Sequence, residues 1–195
     1  MNDALSGHKH QEHGMKQVFW GATVAVLCLS GCAETQKAAD TTVAAAKAQV
    51  NPTLSTTDAT FMTTAARGGM AEVQMGQLAQ TNGRSAAVKR FGQQMVSEHG
   101  RANQDMMALA QQKQITPPGG IGANHQQMYD ELAKLRGAAF DRAYARAMVQ
   151  DHQEDLQAYQ EEAQNGTDPD VKTFAARQVP ILQEHLRMAQ QLPQR

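Results

Sequence analysis

Three times the chain places a histidine one helical turn beyond an apolar residue. MVSEH ends at His99, MVQDH ends at His152, and the looser QEH ends at His185, so Met95 pairs with His99, Met148 with His152 and Ile181 with His185. Residues four apart share a helix face, and each imidazole therefore stands on the apolar stripe of its own helix. An earlier helix brings a carboxylate, Glu72, onto its stripe in the same way. Amphipathic helices that each carry one ionisable group on the buried face must pack stripe against stripe, which makes the expected fold an all-α bundle.

The helices can be placed from their stripes and their ends. The first is expected from about Asp58 to Thr81, capped by Thr57 or Asp58 and closed by Asn82-Gly83, with Phe61, Ala65, Gly68, Glu72, Met75 and Ala79 inward. Gly68-Gly69 costs helix propensity, about 1 kcal/mol for each glycine against alanine, and is read as a place where a neighbouring helix comes close. The second runs from Ser85 to about Lys113 on Val88, Phe91, Met95, His99, Ala102, Met106 and Leu109, and Pro117-Pro118-Gly119-Gly120 ends it. A short helix from Asn124 to about Leu135 carries the chain back along the bundle. The third long helix spans about Ala138 to Ala163. The fourth starts at Asp168 with Pro169 in the first helical position, and Pro180 inside it predicts a kink. Asn82-Gly83, Ser85, Val88-Lys89 and Phe91 recur as Asn165-Gly166, Asp168, Val171-Lys172 and Phe174, always 83 residues on. Two helical hairpins facing each other across a pseudo-twofold would give such an offset.

The first part of the chain reads as targeting sequence. Met15-Lys16, the apolar run Val18 to Leu29 and then Leu29-Ser30-Gly31-Cys32 have the form of a signal peptide, too short for a spanning helix. Leu-Ser-Gly-Cys resembles the bacterial lipobox, whose cysteine becomes the lipidated first residue. Residues 1–31 are thus leader and signal, with Met15 as an alternative start, and the histidines His8, His10 and His13 leave with them. Residues 32–57, small and polar with Pro52, form a tether, and 58–192 the bundle. Cys28 departs with the signal and Cys32 is acylated, which excludes thiol catalysis, thiolate metal sites and disulfides in the mature chain. A net charge of −1 and a pI near 6.6 leave no basic patch for nucleic acid.

Glu72, His99, His152 and His185 are the candidate site. At 1.5 Å per residue Glu72 lies about 14 Å from the end of its helix, His99 about 21 Å from the start of its own, His152 about 16 Å from an end and His185 about 24 Å from a start. The four can share one half of the bundle. Converged, one carboxylate and three imidazoles suit a single transition-metal ion, whether zinc, iron, manganese or copper. Glu98, Asp151 and Glu184, each immediately before a histidine, are candidates to accept in the outer sphere, to bridge a second metal ion, or equally to face solvent. The competing reading is a structural network, with the histidines bonded to Glu72, Tyr144, Tyr159 or backbone. His125, at the head of the short helix, reads as exposed.

AEVQMGQLA, VKRFGQQMVSEH, AFDRAYARAMVQDH and VKTFAARQVPILQEHL together resemble DUF4142, a bacterial family of unknown function whose members are often labelled outer-membrane proteins. The resemblance covers about residues 56–192. It implies a ferritin-like four-helix bundle with a long crossover, and it puts Glu72, His99, Asp141, His152 and His185 at the family's characteristic polar positions, Asp141 among the outer-sphere residues. Di-iron bundles carry Glu-x-x-His pairs. Here Val96 and Leu182 stand where those glutamates would precede His99 and His185, so oxidase or iron-storage activity does not carry over.

The sequence therefore sets out three functions. The first is a non-catalytic envelope module, lipid-anchored to the membrane at Cys32 on the periplasmic side, for which the outer membrane is expected, with another envelope protein as partner. The second is a transition-metal-binding protein using Glu72, His99, His152 and His185. The third, weakest, is a metal-dependent oxidoreductase.

Overall fold

The computed structural model describes residues 54–193, and the leader, Cys32 and nearly all of the tether lie outside the described residues. Five helices follow in order: α1 (Thr56–Asn82), α2 (Ala86–Gln112), α3 (Gly122–Ala133), α4 (Gly137–Asn165) and α5 (Pro169–Gln190). The architecture is the all-α four-helix bundle with an extra short crossover helix. Hairpin α1–α2 packs on hairpin α4–α5, α1 against α4 and α2 against α5, while α3 lies along α1 and α4. Among the described residues no helix is long and apolar enough to cross a membrane.

Helix ends explain much of the geometry. Ser85 caps α2 by accepting from the Ala87 amide, and Asp168 caps α5 by accepting from Asp170 and Val171. At the head of α1 the cap is Ser55 rather than Thr57 or Asp58. Asp58 is the third helical residue and closes a capping box with Ser55, each side chain bonded to the other's backbone. Leu54 just before it is 2 % exposed and belongs to the core, so the bundle claims the last residues of the expected tether. Gly137, at φ +63°, makes the turn from α3 into α4, a conformation that costs glycine little. α5 runs through Pro180 as one helix, with the proline on its exposed side, where water can satisfy the carbonyl it leaves without a partner.

The expected close approach of neighbouring helices at Gly68-Gly69 is made by their side chains. A Cβ on Gly68 would stand 3.5 Å from the Asp155 carboxylate, and one on Gly69 would overlap the Asn103 side chain. The helix backbones touch two turns further along α1. There a Cβ on Gly76 would come within 2.6 Å of the Gly92 carbonyl, and one on Gly92 within 2.7 Å of the Gly76 carbonyl.

The apolar core comes in two blocks. One holds Phe61, Met62, Met106, Leu109, Tyr159, Phe174 and Leu182; the other holds Met75, Phe91, Met95, Phe140, Tyr144 and Met148. Removing each of the large side chains from water contributes roughly 1.5–3 kcal/mol. Between the blocks lies a polar layer, and it contains the four singled-out residues.

Candidate metal centre

α1, α2, α4 and α5 each contribute one side chain to the layer, and all four are buried. Glu72 and His152 are 0 % exposed, His185 1 % and His99 6 %. The imidazole centroids form a near-equilateral triangle, with His99–His152 at 5.6 Å, His99–His185 at 5.1 Å and His152–His185 at 5.4 Å. One nitrogen from each ring falls within 4.8 Å of the others. Glu72 lies against two of the rings, its Oε2 2.7 Å from His99 Nδ1 and its Oε1 3.3 Å from His152 Nε2. The structure thus brings together Glu72, His99, His152 and His185.

What binds the outer nitrogens decides what the inner ones can do. His152 Nδ1 donates to the Met148 carbonyl at 3.0 Å, and His185 Nε2 donates to Glu98 Oε2 at 2.8 Å. His99 turns Nδ1 to the Glu72 carboxylate. Two rings thus have an acceptor on one nitrogen and His99 has the Glu72 carboxylate beside one of its own, while each presents the other nitrogen to a common centre, the arrangement by which proteins orient metal-ligating imidazoles. At that centre His99 Nε2 and His185 Nδ1 are 3.2 Å apart. Two ring lone pairs at that distance repel unless a proton or a cation lies between them. Glu72 Oε1 and Oε2 and His152 Nε2 are buried atoms without a well-aligned hydrogen-bond partner, a costly condition for a carboxylate.

Burial sets the charge states. It holds His99 at about 4 and His152 at about 3, against the pull of the Asp151 carboxylate, and depresses His185 in the same direction. All three are neutral near pH 7, which is the ligating form. Burial also raises Glu72 well above the usual carboxylate range, and the nearby Asp151 charge adds to the effect.

The flanking acids divide. Glu98 reaches the layer through His185, and Asp151, 5 % exposed, lies beside it: Glu72, Asp151 and His152 offer atoms within 4.8 Å of one another. Glu184 does not reach it. Its side chain is about half exposed and forks onto Arg187 at 2.5 and 2.8 Å on the outer face of α5. Asp141 is at another level of the bundle. Its two oxygens accept from the Arg84 and Ser85 amides, both at 2.9 Å, and so fix the α1–α2 turn. Tyr144 and Tyr159 do not satisfy the histidines; the Tyr144 hydroxyl is itself buried without a partner.

His125 corrects the sequence in the opposite sense. Its ring is only a quarter exposed, with Nδ1 donating to the Ile121 carbonyl at 2.9 Å and Nε2 3.5 Å from Asp151 Oδ1. Burial works against its charge, but the Asp151 carboxylate outweighs this and holds the ring at about 9. The sequence signal was local: His125 lies four residues after Ile121, so an inward Ile121 turns the histidine inward as well.

Comparison with the curated proteins finds no match. Among solved structures, the bundle is similar to a Streptomyces coelicolor protein described as secreted and assigned to DUF305. The two superpose with a TM-score of 0.59 at 13 % identity, over 68 % of this chain and 88 % of that one. At that identity the likeness shows the fold alone. Residues 43–192 match the family described as domain of unknown function DUF4142, and the chain belongs to that family.

Proposed function

We propose that this chain is a lipid-anchored envelope protein whose bundle binds one transition-metal ion at Glu72, His99, His152 and His185, as a binding module without a reaction of its own. The observation that supports it best is the pair His99 Nε2 and His185 Nδ1, 3.2 Å apart with both rings neutral. Two ligands about 2.1 Å from one ion at the tetrahedral angle are about 3.4 Å apart, so this spacing suits a shared cation. His152 Nε2 and Glu72 Oε1 supply two further donors that have no other well-aligned partner. Three neutral nitrogens and one carboxylate suit a borderline ion such as zinc, copper or ferrous iron. The envelope location rests on Leu29-Ser30-Gly31-Cys32, with acylation at Cys32, and draws support from the secreted relative in fold.

One observation favours a purely structural role as the second reading. With Glu72 protonated, a continuous chain of hydrogen bonds can run from Glu72 through His99 and His185 to Glu98. It would close the layer without metal. Titration calorimetry separates the two. The demetallated protein and His152→Ala are titrated at pH 7.5, without air, with zinc, manganese, copper and ferrous ions. Stoichiometric binding at micromolar affinity or tighter, lost in the variant, supports the metal centre. A folded wild type that takes up no ion leaves the hydrogen-bond chain as the role of these residues.

A further inference from the structure

Beside the histidine triangle, among the described residues, several carboxylates gather around one basic ring. Glu72 from α1 and Asp151 from α4 lie together, 0 % and 5 % exposed. Asp155 follows one turn beyond Asp151, with its carboxylate over Gly68 of α1. Among the described residues, the cation whose charge acts on them is His125 from α3. Carboxylates taken out of water need protons, hydrogen-bond donors or cations. Asp151 Oδ2 and Glu72 Oε1 are buried with no well-aligned donor. His125 is also poorly placed as a donor, since its Nε2 is 3.5 Å from Asp151 Oδ1, beyond the range of an ordinary N–H···O bond. That separation does fit two ligands on one ion, which at about 2.1 Å each span about 3.4 Å.

We propose that Glu72, Asp151 and His125 form a second divalent-cation site that shares the Glu72 carboxylate with the histidine centre, so that the bundle holds two adjacent ions rather than one. The second site depends on the histidine-site reading only through Glu72, whose Oε1, turned away from the His99 ring, is shared between the two ions. His152 offers a ring nitrogen within 4.8 Å of ligand atoms of Glu72 and Asp151 as well as of His99 and His185 and is assigned to the first site, because one lone pair serves one ion. The two sites differ in character. The first is nitrogen-rich; the second, with two carboxylates and one imidazole, suits a harder ion such as manganese or ferrous iron. They also differ in access. The histidine triangle is enclosed by the four long helices, whereas His125 is partly exposed on the crossover helix, so the second ion enters past α3. The crossover thus has a chemical role in addition to its topological one: it supplies a ligand that none of the four long helices provides.

The test is metal stoichiometry on the full chain, read by calorimetry with zinc and with manganese at pH 7.5 and by metal analysis after dialysis. Wild type is expected to take two ions per chain. His125→Gln and Asp151→Asn, each changing one ligand at nearly constant shape, should each take one. His185→Gln should also take one, with the zinc-preferring site lost and the manganese-preferring one kept. Circular dichroism melting confirms that each variant is folded. One ion in wild type, unchanged in His125→Gln and Asp151→Asn, overturns the second site and leaves the first standing. Two ions in all three proteins place the second ion elsewhere and overturn the assignment. No ion in folded wild type removes the histidine-site reading and this one with it.

Discussion

Asp58 and Asp141, 83 residues apart, make the same connection at opposite ends of the bundle. Asp141, in the first turns of α4, accepts from the amides of Arg84 and Ser85 in the α1–α2 turn; Asp58, in the first turn of α1, accepts from Thr167 and Asp168 in the α4–α5 turn at 2.8 and 3.1 Å. Each hairpin thus caps the entry to the other's second helix. The offset is the one that relates Ser85 to Asp168 and Gly83 to Gly166, so the pseudo-twofold is built into the hydrogen bonds as well as into the sequence.

Hydrogen bonds to an ionised group contribute about 1.5–3 kcal/mol each. Asp141→Ala should therefore lower the unfolding free energy by about 3 kcal/mol in urea titrations, since two part-buried amides lose their acceptor together. Metal affinity in the folded variant should be unchanged, because Asp141 serves a turn rather than the histidine layer. A loss of affinity without a loss of stability would restore Asp141 to the metal centre.

The Asp58 end of the bundle carries a pH-dependent strain. Glu162, 3 % exposed, shares a hydrogen bond with Asp58. Burial, followed by the Asp58 charge, raises Glu162 to about 8, while Asp58 stays low. Folded protein thus holds a proton on Glu162 that unfolded protein releases near 4.5. The stability it contributes is complete below that value and is lost as pH rises through about 8. Glu162→Gln keeps the donor and removes the charge. Its melting temperature should match wild type near pH 4.5 and exceed it by a margin that grows up to about pH 8. A constant difference across that range would rule out the shared proton.

How much of this could be read beforehand depends on whether the cause was local. The starts of α2 and α5 were legible because Ser85 and Asp168 satisfy amides two and three residues away. The start of α1 was not, because Ser55-Thr56-Thr57-Asp58 offers a cap at every position and only packing of Leu54 selects Ser55. The apolar stripes carried Glu72, His99, His152 and His185 into one layer, since a residue on the stripe of a bundle helix can face only inward. Glu98 and Glu184 had identical credentials, each one residue before a histidine. One turns toward α5 and the other to Arg187, and helical rotation alone does not choose between them. Asp141 was misread because its partners lie 56 and 57 residues away. The offset of 83, extended to Asp58, was the signal that would have found it.

Glycine gives a prediction of opposite signs within one helix. In α2 a Cβ at Gly92 would come within 2.6 Å of Ala79 Cβ and 2.7 Å of the Gly76 carbonyl, whereas one at Gly100 would meet nothing within 4 Å. Both substitutions gain about 1 kcal/mol of helix propensity. At Gly92 overpacking against fixed backbone costs about 1–3 kcal/mol or more, so Gly92→Ala should melt lower than wild type. Gly100→Ala should melt higher. If both rise in thermal melts, α1 and α2 are not in contact through Gly76 and Gly92.

Protonation also marks the metal centre, and here the buried carboxylate matters more than the imidazoles. His99 and His152 are neutral in the fold down to about 4 and 3, so neither has a proton to lose at pH 7.5. Glu72 is raised well above the usual range, and His125 is held at about 9. An ion at the histidine centre competes with protonation of Glu72, and an ion at the second site with that of His125. Zinc titrations in buffers of different ionisation enthalpy should therefore report proton release on binding, with affinity rising as pH is raised from 6 toward 9. An ordinary cluster of solvent-exposed histidines would instead release protons only below about 6.5 and bind with constant affinity above it. In His125→Gln the second proton should disappear and the first remain. Heats that do not vary with buffer would show that Glu72 is already ionised in the metal-free protein.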